Sequence, residues 1–308
     1  MPDRNSYITD LLLLTVVAIW GLNFAVMKVA YKSFQPIAFN ACRFIITSIT
    51  MAALMTFRSR AVCFERKDLK EILLLGFLIN TVYQFLFVLG VDRTKAGNAG
   101  LILALVPIFA FLLGVLTHRE SFSRRVVTGI ILSFVGVAAI VGLGASGFSL
   151  SGTWRGDVMM IAAAFLWGWY TAGSLPLLLK YGWLAITGWM MIAGAALLVP
   201  VSIPWLLKQN WSAIESSAWI ALAYSSLFSI VYAYCVWAYA LVNIGVTHTS
   251  MFSNVTPIVA LFGGWLLLGE HPTPAQILGV ALVLTGVFLV RSRNASPSGR
   301  GRRVERVG

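Results

Sequence analysis

The sequence predicts an all-α polytopic membrane protein whose ten transmembrane helices form two inverted five-helix repeats. Three observations predict this class: an apolar composition, a series of membrane-length apolar stretches, and an internal repeat at a shift of 150 residues. The 308 residues are 59% hydrophobic and 11% charged, with a mean hydropathy of +0.85. Because soluble domains carry about 25% charged residues, a soluble enzyme, a disordered protein and a secreted disulfide scaffold are excluded.

The apolar stretches come close to the roughly 20 residues that a helix needs to cross the hydrocarbon core. Charged residues concentrate in the short connections between them. The stretches lack the alternating polarity of barrel strands, and lipid-facing segments must satisfy their own backbone, so we expect helices. The predicted spans are 11–31, 36–57, 72–91, 96–117, 126–144, 157–179, 183–203, 216–241, 248–268 and 275–291.

Basic residues predict the orientation of these spans. With ten spans both termini lie on one side; that side collects sixteen of the lysines and arginines, and the other side collects six. Cytoplasmic loops are enriched in such residues, so both termini are expected in the cytoplasm of a bacterium, with the spans in its inner (plasma) membrane. The net charge of +12 is thereby explained without a nucleic-acid partner.

The first apolar run is expected to remain as a helix rather than to be cleaved as a signal peptide.

An internal repeat is the strongest signal in the sequence. Residues 107–137 align with residues 257–287 at a shift of 150, and ten of the 31 positions are identical, where chance would give ~3. A second match, at a shift of 147, pairs Trp20-Gly21 with Trp167-Gly168. The expected organisation is a first five-helix repeat over 1–150, a second repeat over 151–291 in the opposite orientation, and a disordered basic cytoplasmic tail over 292–308.

The odd number of helices in each repeat predicts a mechanism. Five spans per repeat insert the two halves in opposite orientations, and such halves can exchange conformations so that a central site opens alternately to either side. A purely structural duplication is the alternative.

Several short segments carry a resemblance to a known family. These are 18–24 (AIWGLNF) in the first span, Pro36 and Arg43-Phe44 at the second, and the two proline-bearing spans that end at Glu120 and Glu270. Their order and duplication resemble the EamA-type ten-helix branch of the drug/metabolite transporter superfamily over roughly residues 10–291. The resemblance implies an inner-membrane metabolite exporter with a central cavity, most similar to exporters of amino acids and related metabolites.

Polar and aromatic residues at mid-span depth are the candidates for substrate binding. Polar side chains inside spans usually face a cavity or a partner helix, and Asn23 lies about 18 Å into the first span. Asn80, Tyr83 and Gln84 are expected to share one wet helix face. Packing between helices is the alternative for each candidate. The predicted substrate-binding residues are Trp20, Asn23, Asn80, Tyr83, Gln84, Asn98, Trp167, Tyr170, Tyr232, Trp237 and Asn254.

A second group is expected to act in gating or in structure, and it comprises Arg43, Pro107, Pro257, Glu120 and Glu270. Arg43 could hold a substrate carboxylate, although capping of carbonyls or an outward-reaching side chain is the favoured interpretation.

The remaining titratable residues give no sign of a buried proton relay. His248 is expected at the surface, and every carboxylate is expected in a loop or at a helix end, so we expect no buried carboxylate to drive transport.

Three functions stay open at this point. The leading one is a secondary transporter that exports amino acids or related small metabolites; the second is a transporter of another solute, such as a nucleobase, a vitamin or a polar lipid. A membrane-embedded enzyme or a non-transporting membrane protein is a remote alternative, since no catalytic set of side chains lies within the spans. No cofactor or metal is expected. The expected partners are a small-molecule substrate and the lipid bilayer, and a homodimer is left open.

Overall fold

A computed structural model of the chain describes residues 4–58, 64–94, 99, 102–117, 122–142, 154–259, 261 and 273–291. Every long regular element in these ranges is helical, and no strand occurs among them. We number the helices α1 (Arg4–Ala30), α2 (Pro36–Arg58), α3 (Arg66–Arg93), α4 (Val106–Leu116), α5 (Arg124–Gly142), α6 (Trp154–Tyr181), α7 (Trp183–Lys208), α8 (Ser216–Ile244), α9 (Val246–Met251, continued by the 3-10 turn Phe252–Val255) and α10 (Pro274–Arg291).

Six of these helices (α1, α2, α3, α6, α7 and α8) are long and apolar enough, over the described residues, to cross a membrane. Their bounds exceed the predicted spans: α1 begins at Arg4 and α3 at Arg66. Hydropathy marks only the apolar part of a helix, whereas backbone hydrogen bonding continues through the polar flanking turns. The expected bilayer-spanning helical class is therefore confirmed, and the count of ten spans stays a prediction.

Helices α5 and α10 pack against each other through glycines. A Cβ atom added at Gly129 would stand 2.8 Å from the carbonyl oxygen of Gly286, and one at Gly136 would stand 2.6 Å from that of Gly279. Glycine permits this close backbone approach. The earlier glycine of α5 meets the later glycine of α10, so the two helices run antiparallel.

The other helices contact one another in a recurring pattern. Helix α2 packs on α7, α3 packs on α6 and α7, and α8 packs on α1 and α2. Helix α4 lies against α6 and α9. The turns that end α6 and α8 each contain a glycine with positive φ, Gly182 at 89° and Gly245 at 83°, a common way to end a helix. These contacts place α1, α3, α6 and α8 around a central region.

Four helices depart from α-helical geometry at matched places. Residues Leu78–Val82 of α3 and Leu227–Tyr232 of α8 form π-helical turns, which often occur at functional sites. The backbone is also irregular just before the two prolines that were assigned a gating or structural role: at 104–105 ahead of Pro107, and in the 3-10 turn ahead of Pro257. Proline lacks an amide donor and crowds the carbonyl four residues earlier, which explains both distortions.

Candidate substrate site

Three tryptophans from different helices meet near the middle of the bundle. The ring centroid of Trp20 in α1 lies 5.4 Å from that of Trp167 in α6 and 5.2 Å from that of Trp237 in α8. Trp167 and Trp237 are 5.7 Å apart. Edge-on and tilted ring contacts at such distances stabilise the cluster. The repeat had paired Trp20 with Trp167, and the structure places the two rings in contact.

Tyrosines extend this tryptophan cluster toward α3. Tyr83 lies 5.3 Å from Trp167, and Tyr170 lies 5.5 Å from it. Tyr234, which the sequence prediction did not include, lies 5.1 Å from Trp167. We call the set Trp20, Tyr83, Trp167, Tyr170, Tyr234 and Trp237 the aromatic cluster.

Polar groups are built into the aromatic cluster. Gln84 donates from Nε2 to the Tyr234 hydroxyl at 3.1 Å. The Trp20 indole donates to the carbonyl oxygen of Ser229 at 3.0 Å, within the π-helical turn of α8. The Trp237 indole donates to Thr171 Oγ1 at 3.3 Å. The centre is therefore apolar in area but carries a few fixed polar groups, the composition typical of a small-molecule site.

Sequence reasoning missed three contributors to this centre: Thr171, Ser229 and Tyr234. One available signal pointed to Tyr234, because the shift of 150 residues places it on Gln84. Thr171 and Ser229 resemble ordinary helix-packing residues in sequence, and no pattern distinguishes them.

Asn80 does not join Tyr83 and Gln84 on one wet face. It is 1% exposed and donates from Nδ2 to the carbonyl oxygen of Met190 in α7 at 2.9 Å. The neighbouring Thr81 likewise donates to the carbonyl oxygen of Gly194 at 2.9 Å. Asn80 lies within the π-helical turn Leu78–Val82, whereas Tyr83 and Gln84 follow it. The wider turn breaks the α-helical spacing on which the shared face was predicted.

Three further candidates connect helices outside the aromatic cluster. Asn23 accepts a hydrogen bond from Ser225 Oγ of α8. Asn254 donates to Ser133 Oγ of α5 at 2.9 Å. The hydroxyls of Tyr232 and the exposed Thr15 are 2.7 Å apart. Their part in substrate binding stays a prediction, and the predicted residues Asn98, Glu120 and Glu270 lie outside the described residues.

Arg43 lies inside the bundle rather than reaching outward. Its side chain is 4% exposed, and Nη1 donates to Asn40 Oδ1 at 3.3 Å. The guanidinium carbon stands 5.7 Å from the centroid of the Phe39 ring. The expectation of an outward-reaching side chain is wrong because Arg43 is buried, and its hydrogen bond to Asn40 goes to a side-chain amide rather than to a backbone carbonyl.

A buried acid and a histidine connect α1 to α9. His248 Nε2 is 3.4 Å from Asp10 Oδ1, and the two residues are 3% and 7% exposed. The expectation of a surface His248 is wrong, because α4, α6, α8 and α10 pack against the start of α9 and cover it. The expectation that every carboxylate lies in a loop or at a helix end is wrong for Asp10, because α1 begins six residues earlier. Whether any carboxylate drives transport stays untested.

Comparison with known proteins assigns the family. The bundle is that of a helical membrane protein, and the model of the EamA-like transporter family matches residues 7–142 and 154–292. The chain therefore belongs to the EamA-like transporter family. A solved crystal structure with 19% identity has the same fold, with a TM-score of 0.79 over 96% of this chain and 100% of its own.

Two relatives carry names that mention a substrate. The "probable terminal-alkyne amino-acid exporter" of Streptantibioticus cattleyicolor is 28% identical, covering 94% of this chain and 97% of its own. The "probable amino-acid metabolite efflux pump" of Salmonella typhimurium is 25% identical, covering 90% and 93%. Other relatives, including two from Archaeoglobus fulgidus, are named only as transporters.

Proposed function

We propose that the protein is a secondary transporter that exports amino acids or related small metabolites by alternating access. One observation carries the proposal: Gln84 and Tyr234, which correspond under the 150-residue shift that aligns 107–137 with 257–287, hydrogen-bond to each other inside the aromatic cluster. Equivalent residues can meet in this way only near a two-fold axis that relates the repeats. A substrate site on that axis is equally accessible to both halves, as alternating access requires.

Further contacts support two inverted repeats, over 1–150 and 151–291. The antiparallel packing of α5 on α10 through equivalent glycines fits an axis in the membrane plane. The contacts of α3 with α6 and α7 have counterparts in those of α8 with α1 and α2. The family model also matches the chain twice, once per half. We infer ten spans on this basis, with both termini in the cytoplasm.

The site composition and the relatives support the substrate class. Indole and phenol rings offer apolar contact, while Gln84 and the hydroxyls offer hydrogen bonds to a small polar group. An amphipathic solute fits both features. Two relatives are named as exporters of amino acids or their metabolites, and we extend that class to this chain. The bacterial origin of such relatives supports an inner-membrane location.

Counterflow in proteoliposomes tests the proposal. Purified protein is reconstituted with an internal unlabelled amino acid, and uptake of the same labelled compound is followed across the twenty common amino acids. We expect exchange of a subset, reduced at least tenfold in Trp167→Ala. Trp169→Ala is the matched control, because Trp169 is an exposed residue of the same helix and should leave exchange unchanged. Absence of exchange for the whole panel, or equal loss in both variants, would contradict the proposal.

A further inference from the structure

We propose that Arg43 is the anchor for a carboxylate group of the transported solute. This inference rests on the proposed function and adds the chemical group by which the substrate is recognised. Arg43 lies two turns into α2 and interacts electrostatically with Tyr31, which follows α1, and with Tyr83 and Tyr234 of the aromatic cluster. Its position and its lack of an anionic partner both point to a negatively charged guest.

The guanidinium is a buried charge without a carboxylate. It is 4% exposed, and no carboxylate among the described residues lies within 4 Å of it. Its hydrogen-bond partner is the neutral amide oxygen of Asn40 at 3.3 Å, and Phe39 gives a cation–π contact. A buried charge is retained in a membrane bundle where it is paired or faces a functional pathway. Among the described residues no carboxylate pairs with this guanidinium, and the exposed Asp92 acts electrostatically on Tyr31 and not on Arg43, so an anionic substrate is the natural partner.

Two buried donors at this place lack acceptors. Among the described residues, neither Arg43 Nε nor the hydroxyl of Tyr31, which interacts electrostatically with Arg43, has a hydrogen-bond partner. Donors without acceptors are costly in a buried setting. A carboxylate carries two oxygens with about four lone-pair positions. It can therefore accept from the guanidinium edge and from a phenol at the same time.

Arg43 also connects this anion site to the aromatic cluster. The phenols of Tyr83 and Tyr234 lie close enough to interact electrostatically with the guanidinium, and Tyr234 holds Gln84 at 3.1 Å. A solute whose carboxylate lies at Arg43 can thus direct its remaining part toward the rings of Tyr83 and Trp167. An amino acid or an N-substituted derivative has this arrangement of groups, whereas a neutral nucleobase does not.

The experiment compares acids with their primary amides, which have similar size but no carboxylate. Counterflow is measured for each common amino acid and for the corresponding amino-acid amide in wild type, Arg43→Lys and Arg43→Gln. A planar guanidinium forms paired hydrogen bonds to a carboxylate, which an ammonium cannot reproduce. We expect wild type to prefer acids over amides at least about tenfold. This preference should fall in Arg43→Lys and vanish in Arg43→Gln through a raised KM.

Matched controls separate this role from folding. Arg155→Gln removes an exposed arginine near the start of α6 and should keep the acid preference. Size-exclusion profiles and Tm report whether each variant folds; if Arg43→Gln does not, the ratio in Arg43→Lys decides. The inference is overturned if a folded Arg43 variant keeps the wild-type ratio of acid exchange to amide exchange. It is also overturned if wild type exchanges acids and amides equally. In either case the proposed transport function would still stand.

A binding arm distinguishes failure of the inference from failure of the proposed function. The Tm of the protein in detergent is measured with each of the twenty common amino acids and with its amide. If no solute is exchanged, the proposed function fails, and acid-specific stabilisation of wild type but not of Arg43→Lys still supports carboxylate binding. Without exchange and without acid-specific stabilisation, the inference fails as well.

Discussion

Gln84 of α3 and Tyr234 of α8 hydrogen-bond to each other at 3.1 Å, and the shift of 150 residues that aligns 107–137 with 257–287 also places one on the other. Both are buried, and both follow a π-helical turn in their own helix. The contact therefore connects the two halves at a point where their matched distortions face each other.

Removing one partner of this bond should destabilise the protein because the other is left buried and unsatisfied. We expect Gln84→Leu and Tyr234→Phe each to lower the free energy of unfolding by about 0.6–2 kcal/mol. The double variant should lose less than the sum of the two, as judged by a double-mutant cycle of reversible unfolding. Tyr239→Phe in the same helix is the control. Strict additivity would show that the hydroxyl and the amide do not interact.

Sequence patterns singled out most of the residues that meet at this centre. Mid-span depth and the repeat singled out Trp20 and Trp167, the shared-face pattern singled out Tyr83 and Gln84, and the aromatic-rich eighth span supplied Trp237. Depth within a span survives a local change of helical geometry, whereas the grouping of Asn80 with Tyr83 and Gln84 did not. Their role in binding a substrate stays a prediction, because neither the repeat nor the rings identify a ligand.

Other contacts depend on geometry that a periodicity argument does not contain. Asn80 lies within the π-helical turn Leu78–Val82 and Gln84 lies beyond it, and helical periodicity does not mark such a turn. The pairing of Asp10 with His248 depends on α1 lying beside α9, which is a tertiary relationship between residues 238 positions apart. Such contacts become visible only when helices from the two halves are brought together.

The α5–α10 contact should not tolerate a larger side chain. Gly286→Leu would drive its side chain into the backbone of α5 beside Gly129, where even a Cβ atom is closer than normal contact. We expect the free energy of unfolding to fall by about 1–3 kcal/mol, measured by thermal or denaturant unfolding in detergent. Ile131→Leu on the exposed side of α5 serves as control. Wild-type stability in Gly286→Leu would mean that α5 and α10 are not packed closely.

The Asp10–His248 pair should contribute to stability as a coupled unit. Removing either partner leaves the other polar and buried, so Asp10→Asn and His248→Gln should each lower the free energy of unfolding by at least about 1 kcal/mol. The effect of His248→Gln should shrink in the Asp10→Asn background. Asp157→Asn is a suitable comparison, since this buried acid accepts a hydrogen bond from Thr94 instead of contacting a histidine. Equal effects of His248→Gln in both backgrounds would exclude coupling.

An ion-pair cluster connects the start of α3 to the end of α6. Lys180 Nζ lies 2.6 Å from Asp68 Oδ2, and it also pairs with Glu65. Tyr181 donates from its hydroxyl to Asp68 Oδ2 at 2.6 Å. Hydrogen bonds from Lys180, and secondarily from Lys67, hold the pKa of the exposed Glu65 carboxyl below its ordinary value.

This lowered pKa predicts the direction of a pH dependence. A carboxyl whose pKa is lower in the folded state stabilises that state above its unfolded pKa, and the stabilisation is lost as the pH falls through the folded pKa. Below the ordinary value of 4.5 for Glu65, wild type should therefore progressively lose the advantage in Tm that it holds over Lys180→Met at neutral pH. The difference should be small, because the groups are solvent-exposed. Lys208→Met, at the exposed end of α7, is the control, and its Tm should differ from that of wild type by the same amount at every pH. If the Tm of Lys180→Met also kept a constant difference from wild type, the cluster would contribute nothing to the pH dependence of stability.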